Sequence, residues 1–304
     1  MDDHLRPLST RELLGRIFSL YRHHGKLFVV VSIIGTAATV IFRLFDLART
    51  VAATHSDLKS ATISMVFQIA IGIAIMMLAG LPLSSAAATR AVAAVSVGRE
   101  IRASEAYSAF SGRAWRIAGI VFSIFIRAFL AAILFILLGM VALALAATLG
   151  YNSRVEAGTI GFVCGSIAFS AALVAASAIY VRHAVAIQAC VEEDVSWKLA
   201  LTRSAFLTQG DRVRVASLYT LFILLSFILS FALEIPTLLL RYHPVAFQLS
   251  GTLASFIAFA LTAPVWTVGI SLLYFDERVR KEAFTRQTTI ESLGSPPVQP
   301  ASKL

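Results

Sequence analysis

Apolar residues run along this chain in six long blocks: Leu27–Phe45, Ile63–Ala88, Ile117–Leu149, Phe162–Val181, Val215–Leu240 and Thr252–Phe275. A helix needs about 20 mostly apolar residues to cross a hydrocarbon core of roughly 30 Å, so each block predicts one span. Before each odd-numbered block, the pattern changes to apolar residues at helical spacing within a segment too polar to cross. The first such segment, Ser9–Tyr21, opens with Ser9 and Glu12 at capping-box spacing. Its Leu13, Leu14, Ile17, Phe18 and Tyr21 form one stripe. The second, Arg99–Phe110, carries Ile101, Ala106, Tyr107 and Phe110, and the third, Val195–Phe206, carries Trp197, Leu201 and Ala205. A helix with an apolar stripe and a basic face is stable lying in the headgroup plane.

These segments recur in register. Phe18, Phe110 and Phe206 are spaced by 92 and 96 residues, and each leads within a few positions to a basic residue that opens the next span. Arg90 precedes Ser104 by 14 residues, and Arg182 precedes Ser196 by the same 14. Pro82 and Pro264 hold comparable places in the second and sixth blocks. Self-similarity at a fixed period predicts a repeated unit. The expected fold is an all-α membrane protein: six transmembrane helices in three repeats of a cytoplasmic amphipathic helix plus two spans. This membrane domain covers residues 1–287. The remaining 288–304, with Ser295-Pro296-Pro297 and Pro300, reads as a disordered cytoplasmic tail.

Composition strengthens the membrane reading: 58% hydrophobic and 14% charged residues are more apolar surface than a soluble fold can bury. Charge then orients it. Of 26 Lys and Arg, twenty lie in the N-terminal segment, the second and fourth loops and the tail; five lie on the other side, and Arg127 falls inside a span. The positive-inside rule makes both termini cytoplasmic in a multi-pass protein of the plasma (inner) membrane. The net charge of +9 suits anionic lipids of the cytoplasmic leaflet. Arg11, Arg16, Arg22, Arg99, Arg102, Lys198 and Arg203 are the expected interfacial contacts to those lipids or to a partner, which would be a separate membrane or peripheral protein. Nucleic acid is not expected, because the charge is dispersed and no recognition motif accompanies it. The first apolar block begins after a long charged segment and no Ala-x-Ala site closes it, so it reads as a retained signal anchor. Cys164 and Cys190, within a span and on the cytoplasmic side, read as reduced thiols.

Candidate chemistry is sparse. A charge at the bilayer centre costs about 2.5–3.5 kcal/mol on insertion scales, which singles out Arg127 and Glu234. If the third span begins at Ala128, Arg127 sits at its boundary and snorkels. Glu234 precedes Pro236 near the outer end of the fifth span, at the depth expected for Arg43, Asp46 and Arg241. A structural ion pair or a polar gate would each fit there. His4, His23, His24, His55, His183 and His243 are scattered without metal-ligand spacing, so no metal or other cofactor is expected. The acidic run Glu192-Glu193-Asp194 stands before a predicted helix, where negative charge complements the macrodipole. Gly161 and Gly165, followed by Ala168, Ala171, Ala172, Ala175 and Ala176, suit close helix packing.

Three stretches carry a resemblance. Leu272-Leu273-Tyr274-Phe275-Asp276-Glu277-Arg278-Val279-Arg280-Lys281-Glu282 closes the last span, Ser196-Trp197-Lys198-Leu199-Ala200-Leu201-Thr202-Arg203-Ser204 forms the third amphipathic segment, and Glu12-Leu13-Leu14-Gly15-Arg16-Ile17-Phe18-Ser19-Leu20-Tyr21-Arg22 opens the first. Together they resemble the bacterial glycerophosphoryl diester phosphodiesterase membrane-domain family over nearly the whole chain. In some relatives this domain is joined to a metal-dependent catalytic barrel with His-Arg-Gly and Glu-Asn-Thr motifs. Neither motif occurs here, and a barrel needs on the order of 200 further residues. The resemblance therefore implies a fold and not an activity. The function expected is a non-catalytic membrane module: a scaffold, lipid-associated platform or partner subunit. The alternative is a small transporter or transporter subunit using Glu234 and Arg127. An intramembrane enzyme ranks third, since no nucleophile–base pair is visible.

Overall fold

A computed structural model describes residues 7–52, 80–108, 112–148 and 154–282. Every regular element among them is helical. In chain order they are α1 (Thr10–Ala52), α2 (Leu81–Ser96), α3 (Ala103–Ser108), α4 (Ala114–Thr148), α5 (Arg154–Arg182), α6 (Ala186–Glu192), α7 (Trp197–Leu207), α8 (Arg212–Glu234), a 3₁₀ segment (Ile235–Leu240) and α9 (Pro244–Glu282). Four helical stretches, Ala114–Leu145, Thr159–Glu192, Arg212–Leu240 and Val245–Glu282, are long and apolar enough to cross a bilayer, and they mark the chain as a membrane protein. The first two apolar blocks fall partly outside the described residues: 53–79 carry most of the second, and several side chains of the first, Arg43 and Asp46 included, are also outside. Residues 283–304, where the expected tail lies, are outside as well.

Local sequence explains most element boundaries. Ser9 and Glu12 close a capping box at the start of α1: Ser9 N–H donates to Glu12 Oε2 at 2.8 Å and Glu12 N–H to Ser9 Oγ at 3.3 Å. Non-helical angles at His24 (φ −121°, ψ 25°) divide α1 into an amphipathic first part and the long apolar part that follows. Ser196 caps α7 through the Leu199 N–H, and Gly210 at φ +91° turns the chain into α8. Gly112, at φ +82°, holds a similar place before α4. Short helices α3 and α7 thus lie within the expected Arg99–Phe110 and Val195–Phe206 segments, each distinct from the span that follows it. Pro236 ends the regular α-helix of α8, and the 3₁₀ segment takes over at Ile235, directly after Glu234.

Packing is uneven. Helix α1 lies along α9, and α2 fits between them, buried continuously from Ser84 to Thr89. Its alanines (Ala86, Ala87, Ala88, Ala91, Ala93 and Ala94) let neighbouring backbones approach closely. The main core joins Leu13 and Ile17 of α1, Val92 of α2, Leu218 and Phe222 of α8, and Val268, Leu273 and Tyr274 of α9. By contrast α4 and α5 form an antiparallel pair that touches the rest of the bundle mainly near its charged end. About two-thirds of the residues in the most apolar stretch of α9 are buried, whereas few or none are in those of α4, α5 and α8, whose residues are partly or fully exposed. Exposed apolar side chains are the expected surface of a helix that faces lipid.

The α4–α5 contact uses only part of the small-residue run that the spacing suggested. A Cβ added at Gly165 would meet nothing within 4 Å, and one added at Gly161 would lie 3.4 Å from Leu143 Cδ1. The close approach is at Gly139, where an added Cβ would lie 2.5 Å from the Ala168 Cβ. A second close approach is at Gly269 of α9, where an added Cβ would collide with the Phe222 ring of α8.

Candidate functional site at the charged end of the bundle

The short helices α3, α6 and α7, the start of α1 and the end of α9 meet at one end of the bundle. Most described acids of the second half of the chain meet there too, and arginines or a lysine take them up. Glu192 faces Arg90 at 3.6 Å, and Asp194 is held by Arg113 at 3.0 Å and Arg116 at 2.9 Å. Glu193 accepts from Arg203 Nε at 2.7 Å and Nη2 at 3.0 Å, and from the Tyr274 hydroxyl at 3.1 Å. Glu282 pairs with Arg203 at 2.5 Å and with Arg278 at 3.1 Å, while Asp211 pairs with Lys281 at 3.5 Å. Arg203 therefore sits in a two-carboxylate clasp that ties α7 to α9. Its pKa is raised above the ordinary arginine value, chiefly by the hydrogen bond to Glu193.

A second clasp closes the chain on itself. Arg214, at the start of α8, contacts Asp276 at 2.6 Å and Glu277 at 3.0 Å, both buried. Its Nη2 donates to the Leu8 carbonyl at 3.0 Å, while the Leu8 N–H donates to Asp276 Oδ1 at 2.6 Å. Arg280 also donates to the Leu8 carbonyl, and bonds Asp276 at 2.9 Å one helical turn away. The residue before the first cap is thus fixed to the last helix through both of its backbone groups.

A polar seam runs from this layer between α2, α6 and α9. Gln188 Nε2 donates to Ser85 Oγ at 2.7 Å, Thr89 Oγ1 donates to the Ser85 carbonyl at 2.8 Å, and Thr89 Oγ1 lies 3.1 Å from Ser271 Oγ. Arg90 Nε and Nη1, Gln188 Oε1 and Glu192 Oε1 are buried without a hydrogen-bond partner among the described residues. Buried donors and acceptors left open side by side are costly unless water or a ligand joins them.

The residues singled out from sequence are dispersed over this architecture. Arg11, Arg22, Arg99, Arg102 and Lys198 are exposed, Arg16 is half-buried, and Lys198 lies 5.4 Å from the centre of the Trp197 ring. Arg127 is exposed on α4 and meets His183 at 3.2 Å, near the charged end. Glu234 lies at the other end of α8, where its Oε1 accepts from Ser255 Oγ at 3.0 Å. The structure therefore does not bring Arg127 and Glu234 together. Arg241 stacks on Tyr242 at 4.7 Å. Among the described residues, no three His, Cys, Asp or Glu side chains form a group able to hold a metal ion. The run Glu192-Glu193-Asp194 spreads to three different sets of arginines, with Asp194 at a positive φ of 49°. Sequence reasoning missed Arg90, Gln188 and Arg214 as partners. Only the i,i+4 spacings of Asp276–Arg280 and Arg278–Glu282 were visible as local signals.

Comparison with protein-family models, with curated proteins and with solved structures finds no match to this chain.

Proposed function

We propose that the chain is a non-catalytic membrane module, a platform at the cytoplasmic face that gathers anionic lipid and a separate membrane or peripheral protein. One observation carries this reading. Glu192, Glu193, Asp194, Asp211, Asp276, Glu277 and Glu282 are all committed to structural pairs, which leaves an outward surface of exposed bases: Arg11, Arg22, Arg99, Arg102 and Lys198. Such a surface attracts an anionic leaflet, at about 1 kcal/mol for each basic residue near it.

The finer architecture belongs to the same proposal: six spans in the inner membrane, both ends cytoplasmic, in three units of interfacial helix plus two spans. The break at His24 and the left-handed glycines Gly112 and Gly210 support the units, because each separates an amphipathic segment from the helix that follows. The resemblance to the phosphodiesterase membrane-domain family supports a module that works beside an enzyme and is not one itself. Purification from native membranes, with identification of co-purifying lipids and proteins, tests the function. Recovery of the chain free of anionic lipid and of any stoichiometric protein would overturn it.

The polar seam favours a second reading, a small transporter or transporter subunit. Its open atoms on Arg90, Gln188 and Glu192, more than Arg127 or Glu234, are where a polar solute would be held. Gln188→Cys, in a background with Cys164 and Cys190 replaced by Ser, provides the test. Labelling of the introduced thiol by an impermeant reagent from both sides of a vesicle supports transport, and protection from both supports the module.

A further inference from the structure

We propose that Arg127 and Arg182 form a binding site for the phosphate of an anionic phospholipid in the leaflet at the charged end. This rests on the reading of the chain as a lipid-associated platform, and it names where one lipid is held.

The register of α4 and α5 brings the two arginines to one level. Gly139 faces Ala168 and Leu143 faces Gly161, so residue numbers rise along one helix as they fall along the other. Extending that pairing sets Arg127 opposite the last turn of α5, which ends at Arg182. Side chains lean toward the N-terminus of their helix, and α4 starts at the charged end, so the Arg127 guanidinium points back to that end. There it meets His183, and the charges of Arg127 and Arg182 both bear on that ring.

His183 is 9% exposed and is fixed by its partners. Its Nδ1 lies 3.3 Å from the Leu201 carbonyl, which can only accept, so Nδ1 carries the proton. Nε2 then offers a lone pair, and Arg127 Nη1 donates to it at 3.2 Å. This orients the guanidinium without neutralising it. Among the described residues nothing takes up its remaining N–H groups, which form the planar fork that suits phosphate oxygens. The backbone of Arg182 is fixed, since Ser204 Oγ and Thr208 Oγ1 lie 3.3 and 3.1 Å from its carbonyl as donors, and its exposed side chain leaves from that fixed point.

The charge of this pair is open to an anion from outside the chain. Arg203, Arg214, Arg278 and Arg280 have a carboxylate within 4 Å, whereas the exposed Arg212 and Arg241 have none among the described residues. Arg127 and Arg182 have none among the described residues. Depth argues for a lipid over a free ion. Leu201 belongs to the amphipathic helix α7, whose exposed Leu199 and Phe206 fit the boundary between headgroups and acyl chains. Beyond Arg127, Phe129, Leu130, Leu134 and Leu137 of α4 are exposed, and they offer a surface for the acyl chains of a lipid whose phosphate is held below. Tyr180, one turn before His183, is 39% exposed and suits the same interface.

The test uses the full chain in nanodiscs of phosphatidylcholine doped with phosphatidylglycerol, released into native mass spectrometry, with a parallel titration of short-chain phosphatidylglycerol. Wild type is expected to retain one more phosphatidylglycerol than Arg127→Gln/Arg182→Gln, whose affinity should fall at least about tenfold for two lost charge-assisted contacts. Arg127→Lys, which keeps the charge and loses the fork, should fall between them. Arg241→Gln, at the opposite end, should match wild type. The proposal is overturned if the double variant melts normally in phosphatidylcholine yet retains the same lipid. It is overturned also if Arg241→Gln loses as much, or if inorganic phosphate displaces the lipid as readily as added phosphatidylglycerol does. Equal retention by wild type and double variant leaves the platform reading standing; a wild type that retains no anionic lipid removes both.

Discussion

Replacing Arg214 by Ala should be among the most damaging changes available at the charged end. The guanidinium contacts Asp276 at 2.6 Å and Glu277 at 3.0 Å, and those carboxylates are 2% and 0% exposed. At an effective dielectric of about 20, unit charges at these separations attract by roughly 5–6 kcal/mol each before desolvation is counted. Desolvation consumes most of that, so the intact clasp contributes little net stability. Removing one partner is different, because two acids would stay buried with Arg280 bonded to Asp276 and, among the described residues, no other cation within 4 Å of Glu277. Breaking a buried pair in this way costs about 3–5 kcal/mol, a large share of a total that is typically about 5–15. Two controls separate charge from packing. Arg280→Ala, at an arginine 27% exposed, should cost no more than about 1 kcal/mol despite its two hydrogen bonds. Glu277→Gln removes a buried charge whose Oε2 has no hydrogen-bond partner among the described residues, and should stay within about 1 kcal/mol of wild type. Unfolding in mixed micelles with increasing sodium dodecyl sulfate, followed by circular dichroism, measures all three. Limited proteolysis adds a local readout, since the clasp holds Leu8. If Arg214→Ala unfolds within about 1 kcal/mol of wild type and Leu8 stays protected, the uncompensated-charge argument is wrong.

Other expectations follow from packing, topology and chemistry. Gly269→Ala sets a Cβ against the Phe222 ring and should cost about 1–3 kcal/mol, with Phe222→Leu in the same chain recovering part of it; equal stability of Gly269→Ala and wild type would refute the contact. Gly139→Val should split α4 from α5, seen as lost cross-linking between cysteines placed at Leu143 and Gly161. Reporter fusions after Thr54, Asn152 and Tyr242 should read outside, and fusions after Gly98, Gly210 and Gln287 inside; inversion at any one breaks the six-span topology. Purified chain with added divalent metal should release no glycerol 3-phosphate from glycerophosphodiesters, and turnover abolished by Glu193→Gln or His183→Ala would make it an enzyme.

The helices were legible because hydrophobic period and length are local properties. Four of the six apolar blocks coincide with helices long and apolar enough to span a membrane and a fifth, Leu27–Phe45, lies within α1, whose non-helical break at His24 falls just before that block. The capping box at Ser9 and Glu12 was legible for the same reason: its atoms lie three residues apart. Partners distant in sequence were not. Arg203 and Lys198 read alike as bases on an amphipathic helix, yet Arg203 is enclosed by Glu193 and Glu282 while Lys198 rests on Trp197 at the surface. Only the approach of α9 to α7 separates them. Gly161 and Gly165 had the pattern of a helix-packing motif, but which face of α5 meets α4 is set by the whole pair. The close contact falls to Ala168, within that same run of small residues, and to Gly139, which the sequence did not single out.

Why the charged end should hold the molecule together follows from the solvent of the rest. Lipid tails are as apolar as leucine, so α4, α5 and α8 gain little by leaving lipid for one another. Their attachment has to come from small-residue contacts and from polar groups that water cannot easily satisfy. The small-residue contacts are few and short-ranged, at Gly139–Ala168 and Gly269–Phe222. The polar ones gather where the helices emerge, and there the chain uses long arginines from one element to reach acids on another: Arg203 from α7 to α9, Arg214 from α8 to α9 and to Leu8, Arg116 from α4 to Asp194. Helix α4 has in addition only Arg127 and its neighbours to anchor its exposed half, and Arg127 ends on an imidazole with no carboxylate. A bundle tied so asymmetrically leaves the α4–α5 pair as its least constrained part. An anion bridging Arg127 and Arg182 would add to that pair the kind of tie the other helices already have, and it would come from the membrane, not from the chain.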